Sequence, residues 1–302
     1  MKLSVVVPCY NEAANASEFE SELSKALLKE KITYEIIFID DGSTDDTYSK
    51  LSSLNKANKN VKVIRFSRNF GKESAMLAGL KNASGSYVAI MDADLQHTPE
   101  MLILMYKKLI NDDSFDCCCA YKSNREDEGS LKRTLTSLFY KINNKISDVK
   151  LLPGASDFRV FKKSVCDAIT SLDEKTRFLK GMFSWVGFNT IYVPYMPEKR
   201  MYGTSKWSLF KLLKYSLGGI ISFSTKPIKS VFIIGVLALI AGLLNFILMG
   251  NLANRTIILF ISFIMIQLGI ISLYVSRIYS NILNRPCYII KEKLGFNDKS
   301  SK

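Results

Sequence analysis

A chain of 302 residues with 41 Lys+Arg against 28 Asp+Glu carries a formal net charge of +13, which points to phosphate-bearing partners such as nucleic acid, anionic lipid or a nucleotide. Nucleic acid is disfavoured, because no zinc-finger, RNP-type or basic-zipper pattern is present. Six cysteines without a C-x-x-C pair, beside a single histidine, His97, argue against a zinc site. Leu3 to Val7 is an apolar strand, ended by Pro8-Cys9-Tyr10-Asn11-Glu12; Met1-Lys2 runs straight into it, so no signal peptide is expected. A helix is expected from about Glu12 to Lys31. Tyr34 to Ile39 is the next strand, ended by Asp40-Asp41-Gly42-Ser43, with Thr44 placed to cap a helix through Leu54. Val61 to Phe66 is a third strand, followed by Ser67-Arg68-Asn69-Phe70-Gly71 and a helix from Lys72. Ser86 to Met91 is a fourth and reads as buried in a parallel sheet. Strand alternates with helix, so the expected class is α/β with a mostly parallel, doubly wound sheet flanked by helices.

Polar residues collect after each of these strands, at the carboxyl edge where ligands bind in open α/β sheets. The fourth strand delivers Asp92-Ala93-Asp94-Leu95-Gln96 to that edge. Hard oxygen donors so placed suit Mg²⁺ or Mn²⁺ with coordination positions left open for a diphosphate, although Asp-x-Asp also occurs in ordinary surface turns. His97 reads as a solvated or capping residue. Thr98-Pro99 reads as a helix start, with Thr98 the cap.

Phe115 to Tyr121 is a strand whose Cys117 to Cys119 read as small core residues of a reduced, cytosolic protein. Lys122 to Gly129 is a polar loop. Leu131 to Ile146 is amphipathic. Ser156 to Phe161 and Thr190 to Tyr195 read as strands. From Arg177 to Lys229 there are nine basic residues and one acid, Glu198; leading into very apolar sequence, this stretch suits a membrane surface better than DNA. Lys206 to Ser224 mixes Trp207, Leu209, Phe210 and Ile220 with Lys206, Lys211 and Lys214. It reads as an interfacial helix, with a core helix as the alternative; Pro227 would end either.

Val231 to Gly250 and Thr256 to Ser276 hold no charge, and each is long enough to cross a bilayer core as a helix. The short link between them predicts a hairpin. Lys226 and Lys229 before it and Arg277 and Arg285 after it put both ends in the cytoplasm. Asn245 and Gln267, the polar exceptions, lie at different depths and are expected to bond backbone, another element or a neighbouring subunit. The expected organisation is a catalytic domain at 1–203, an interfacial region at 204–228, two spans within 229–277 (231–250 and 256–276) and a cytoplasmic tail at 278–302.

The motifs Val5-Val6-Val7-Pro8-Cys9-Tyr10-Asn11-Glu12, Ile39-Asp40-Asp41-Gly42-Ser43-Thr44-Asp45, Arg68-Asn69-Phe70-Gly71-Lys72-Glu73, Met91-Asp92-Ala93-Asp94-Leu95-Gln96-His97, Ala155-Ser156-Asp157-Phe158-Arg159 and Arg200-Met201-Tyr202-Gly203-Thr204-Ser205-Lys206 agree in order and spacing with one family. The chain resembles the family 2 glycosyltransferases of GT-A fold. Within them it resembles the polyprenyl-phosphate subgroup, which includes dolichyl-phosphate mannose synthase and the bacterial undecaprenyl-phosphate glucosyltransferases. The resemblance implies a UDP-sugar donor held by Pro8, Tyr10, Glu12, Asp41, Lys72 and Asp92, and a metal, Mg²⁺ or Mn²⁺, held by Asp92, Asp94 and Gln96. It implies catalytic roles for Asp94 and Asp157, the latter as a base or an orienting group. It implies a polyprenyl-phosphate acceptor cradled by Lys122, Arg125, Arg133, Arg200 and Lys206. Lys122 departs from the arginine usual in the family and loses its bidentate fork.

The expectation is therefore inverting transfer of a hexose, glucose before N-acetylglucosamine, from a UDP-sugar to undecaprenyl phosphate. The site would be the cytoplasmic leaflet of a bacterial membrane, with a homo-oligomer through the membrane helices left open. A processive polysaccharide synthase is disfavoured by the lack of a Gln-x-x-Arg-Trp motif. A membrane-anchored sugar-nucleotide sensor or scaffold remains the rival outside enzymes.

Overall fold

The computed structural model describes residues 2–122, 130–196, 218–248 and 253–296. Apolar runs form the first four strands, β1 (Lys2–Cys9), β2 (Thr33–Asp40), β3 (Val61–Phe66) and β4 (Tyr87–Ile90), separated by α1 (Ala16–Lys29), α2 (Thr47–Ala57) and α3 (Lys72–Asn82). Then come α4 (Pro99–Asn111), β5 (Cys117–Lys122), α5 (Ser130–Ile146), β6 (Ala155–Lys162), α6 (Lys163–Ser171), α7 (Leu179–Trp185) and β7 (Thr190–Tyr195). Two long helices follow, α8 (Lys226–Leu248) and α9 (Ala253–Ile282), and a last strand, β8 (Ile290–Leu294).

The strands form one eight-stranded sheet in the order β7-β5-β6-β4-β1-β2-β3-β8. β1 pairs in parallel with both β2 and β4, β2 with β3 and β5 with β7, whereas β6 and β8 run antiparallel to their neighbours. The expected parallel, doubly wound half is present. Its strand order reverses between β1 and β4, and the crevice at that switch point is where open α/β sheets bind ligands. The pleat divides the core in two. Val5, Val7, Phe38 and Ala89 pack toward α1 and α4, while Val6, Ile37, Ile39 and Ile90 pack toward α3, α6 and α7.

Several expectations change. Thr44 caps nothing: α2 begins at Thr47, whose N–H and hydroxyl both donate to the Asp45 carboxylate. Thr98 does cap α4, accepting from the Met101 N–H at 3.3 Å with Pro99 behind it. Arg177, expected in a membrane-facing basic stretch, is buried and donates to the carbonyls of Ile169 and Leu172 at the end of α6. Residues 218–223 are helical and end ahead of Pro227, which sits in the first turn of α8, where its missing N–H costs nothing.

The expected tail at 278–302 contributes a strand to the sheet. β8 pairs antiparallel with β3, and Tyr288 stacks on Phe66 with ring centroids 5.0 Å apart. α8 and α9 pack on each other, and the Gln267 amide donates to the Val231 carbonyl at 3.2 Å, bonding backbone as expected. Among the described residues one stretch, Phe263–Ile282, is long and apolar enough to cross a membrane, and none of it is buried. Arg125, Arg200, Lys206, most of the expected interfacial helix and the 249–252 link lie outside the described residues, as does the side chain of Arg133 on α5.

Candidate active site

The site is assembled from the carboxyl ends of β1 to β4. Asn11, in the left-handed region at φ 53°, turns the chain out of β1. Its N–H donates to the Ser43 hydroxyl, its side-chain carbonyl accepts from the Thr44 N–H, and the Glu12 N–H donates to the Thr47 hydroxyl. These bonds lace the loop after β1 to the loop after β2 and bring Pro8, Tyr10, Glu12 and Asp41 to one rim. Asp41 then gathers the loop after β3: its two carboxylate oxygens accept from the Phe70 and Gly71 N–H groups at 2.7 and 2.9 Å. Gly42 makes the approach possible. Its φ is +67°, and a Cβ there would lie 2.3 Å from the Arg68 carbonyl carbon. Burial outweighs the two backbone bonds and raises the Asp41 carboxyl to about 6. Burial, with Glu12 and Asp40 adding to it, also pushes the Cys9 thiol well up, so no thiolate nucleophile stands at this rim.

The centre is a three-residue ion cluster. β4 and β6 pair with Ile90 opposite Arg159, and the antiparallel register carried two places on brings Asp92 opposite Asp157. Lys72, at the start of α3, fills the space between them, with its ammonium 2.7 Å from Asp92 Oδ1 and 3.2 Å from Asp157 Oδ2. Burial pulls the Lys72 ammonium down, but the two carboxylates overcome this and raise it above its ordinary value. Lys180, from α7, stands 4.0 Å from Asp157 Oδ1. Burial raises the Asp157 carboxyl, yet Lys180, Lys72 and Arg159 together hold it well below the usual carboxylate range. Asp157 is thus firmly ionised.

Asp94 accepts from the Gln96 N–H at 3.2 Å, a turn that Leu95 permits at φ 59°. Among the described residues no three His, Cys, Asp or Glu side chains cluster as a complete metal cage. Two carboxylates and an amide at the end of one strand suit a hard divalent ion whose remaining positions are taken by water and substrate phosphate, the usual mode for Mg²⁺. The donor set fits such an ion.

His97 is neither solvated nor a cap. It is 6% exposed, lies against Phe158 with ring centroids 4.5 Å apart, and shares hydrogen bonds with the Tyr195 hydroxyl at 3.1 Å and the Ser156 hydroxyl at 3.4 Å. Burial lowers its imidazole against the pull of Asp92 and Asp94, so it is neutral. Lys122 ends β5, level with Tyr195 of β7. Lys180 was not foreseen from the sequence, because nothing in Phe178-Leu179-Lys180-Gly181 separates it from other surface lysines; only the fold of α7 over β6 brings it to Asp157.

The family model described as Glycosyl transferase family 2 matches residues 4–170. A prophage-derived bactoprenol glucosyl transferase of Shigella flexneri is 36% identical over 305 residues, covering 97% of this chain and 98% of that protein. A putative glycosyltransferase of Bacillus subtilis is 36% identical over 303 residues, covering 96% and 91%. Among solved structures, glucosyl-3-phosphoglycerate synthase of Mycobacterium tuberculosis, crystallised with Mn²⁺, UDP-glucose and phosphoglyceric acid, superposes with a TM-score of 0.51 at 18% identity over 73% of this chain and 77% of that one. That likeness marks the sheet and its flanking helices as GT-A-like.

Proposed function

The chain belongs to glycosyltransferase family 2 and is a glycosyltransferase; from that premise we propose that it moves a hexose, glucose by first choice, from a UDP-sugar to undecaprenyl phosphate with inversion. The observation that carries this reading is the pairing of Asp92 and Asp157 across β4 and β6 beside the switch point, bridged by Lys72 and flanked by Asp94. The pairing sets a charged centre for a diphosphate leaving group beside a second carboxylate. The name of the Shigella relative supports the lipid acceptor and the glucose, and the bound ligands of the mycobacterial structure support a UDP-sugar and a divalent ion.

Within this reading Pro8, Tyr10, Glu12 and Asp41 hold the nucleoside, with ionised carboxylates accepting hydroxyl hydrogen bonds. Asp92, Asp94 and Gln96 hold Mg²⁺ or Mn²⁺. The ion, when bound, neutralises charge developing on the departing diphosphate. The Lys72 ammonium, at the open start of α3, offers a further donor to the same phosphates. An acceptor phosphate is already ionised near neutral pH and needs little deprotonation. Asp157, held ionised by its three cations, has a low proton affinity and acts as an orienting group, fixing Lys72 and Lys180, rather than as a base. Lys122, Arg125, Arg133, Arg200 and Lys206 remain the proposed acceptor cradle.

We place the enzyme in the bacterial cytoplasmic membrane, with α8 and α9 as a two-helix hairpin and the catalytic domain cytoplasmic. The supporting observation is β8. The chain departs from the sheet through α8 and rejoins it beside β3, so its crossings are even in number. The test of function is turnover: purified protein, a UDP-sugar and undecaprenyl phosphate should give a lipid-phosphate hexose, and a protein that binds UDP-sugar without turnover would be a sensor.

A further inference from the structure

Beyond the ion cluster lies a cavity of about 230 Å³ between α5, the 150–155 segment, α7 and β7. This is several times the roughly 30 Å³ share of one water. Among the described residues three cations line it, Arg159, Lys150 and Lys180, and no carboxylate does. Arg159 is 5% exposed. Its Nε–H donates to the Ser156 carbonyl at 3.2 Å, and its guanidinium lies 4.5 Å over the Phe183 ring. The donors on its two terminal nitrogens have no hydrogen-bond partner among the described residues. Asp157 already offsets part of its charge, and the remaining donors can take a further anion. The fork geometry of those donors matches a phosphate, and the Lys150 and Lys180 ammonium groups add charge. Leu152, Phe183 and Tyr192 supply an apolar wall beside the cations.

We infer that this cavity binds a phosphate monoester dianion, seated on the Arg159 fork between Lys150 and Lys180, with its organic group against the apolar wall. Lys180 belongs to both the cavity and the Asp157 cluster, so the bound anion lies next to the reacting centre. The inference rests on the acceptor reading only for the source of the phosphate: a polyprenyl phosphate and a water-soluble phosphate present the same headgroup.

The test is a titration of full-length protein in detergent followed by ³¹P NMR, with inorganic phosphate in one arm and a short-chain prenyl phosphate in the other. Arg159→Lys keeps the charge and loses the fork. Lys150→Gln removes an exposed cation from the rim, and it carries the test alone if Arg159→Lys fails to fold. Each variant should weaken binding, Arg159→Lys by about tenfold or more, as expected for lost charge-assisted hydrogen bonds. Binding of both ligands in competition identifies a headgroup site, and binding of the prenyl phosphate alone identifies a lipid-borne one. Failure of the wild type to bind either ligand, or equal affinity in wild type and in both variants when folded, overturns the inference. Phosphate binding lost in the variants, in a protein that never transfers sugar to lipid phosphate, would leave the cavity standing and remove the acceptor reading.

Discussion

At the scale of single residues, the account turns on carboxylates in different settings. Asp41 must be ionised to accept hydroxyl hydrogen bonds from a nucleoside, and its carboxyl is raised to about 6 by burial. Protonation as pH falls through 6 removes that acceptor. The KM for the donor should therefore climb below pH 6 while staying level from 7 to 8, and Asp41→Asn should abolish the inflection; initial rates against donor concentration across that range check it. Asp94 stands differently, at the end of β4 beside Gln96. Asp94→Asn should lower kcat by a hundredfold or more, about 3 kcal/mol of lost electrostatic stabilisation, with the protein still folded by circular dichroism. Gly42 tests the backbone of the site: Gly42→Ala adds a Cβ 2.3 Å from the Arg68 carbonyl carbon at a φ of +67°. It should cost about 2 kcal/mol or more of stability, read as a lowered Tm. The apolar run ahead of Asp92 and Asp94 puts them at the end of a buried strand, whereas Asp157 stands out only through the motif around it; the structure sets Asp92 and Asp157 on one lysine. His97 was not legible in the sequence, because a histidine at a loop start looks solvated until Phe158 and Tyr195 fold over it.

At the scale of elements, the first four strands were legible because each is rich in apolar and β-branched residues, with β1, β2 and β4 buried on both faces and β3 interrupted only by Lys62 and Arg65. β8 was not. Its Ile-Lys-Glu-Lys-Leu pattern sets three charges between two apolar residues, which a tail shows as readily as an edge strand, and charges on an edge are how sheets discourage further pairing. α6 and α7 were not legible either: neither starts on a side-chain cap. α7 falls in the Arg177–Lys229 stretch whose basic residues suggested a membrane surface, whereas Arg177 turns inward to satisfy the carbonyls ending α6. The docking of β8 is testable. Tyr288→Ala removes a ring stacked on Phe66 and should destabilise the catalytic domain by about 2 kcal/mol, measured by urea unfolding. A residue on a free tail would give no change.

At the scale of the whole molecule, the end of α9 is fastened to the catalytic domain. Arg277 donates to the Thr176 carbonyl at 2.8 Å, Asn281 accepts from the Lys175 N–H, and Tyr274 donates to the Ser224 carbonyl at 2.7 Å. The sheet and the apolar helices therefore hold a defined relation, which sets the switch-point crevice relative to the bilayer that the hairpin reading requires. A hairpin exposes only its link on the far side. Asn251→Cys, in a background stripped of native cysteines, should react with an impermeant thiol reagent added outside intact cells, and a cysteine placed on α2 should not.

The central claim is sugar transfer to a lipid phosphate at the Asp92–Asp94–Asp157 centre, and mass spectrometry of the lipid product tests it most directly. Purified full-length protein supplied with undecaprenyl phosphate, Mn²⁺ or Mg²⁺ and each of several UDP-sugars should yield one lipid-phosphate hexose, with UDP-glucose the best donor. The product should vanish with EDTA and with Asp94→Asn. No lipid-linked hexose from any UDP-sugar, or undiminished product from Asp94→Asn in EDTA, would contradict the account.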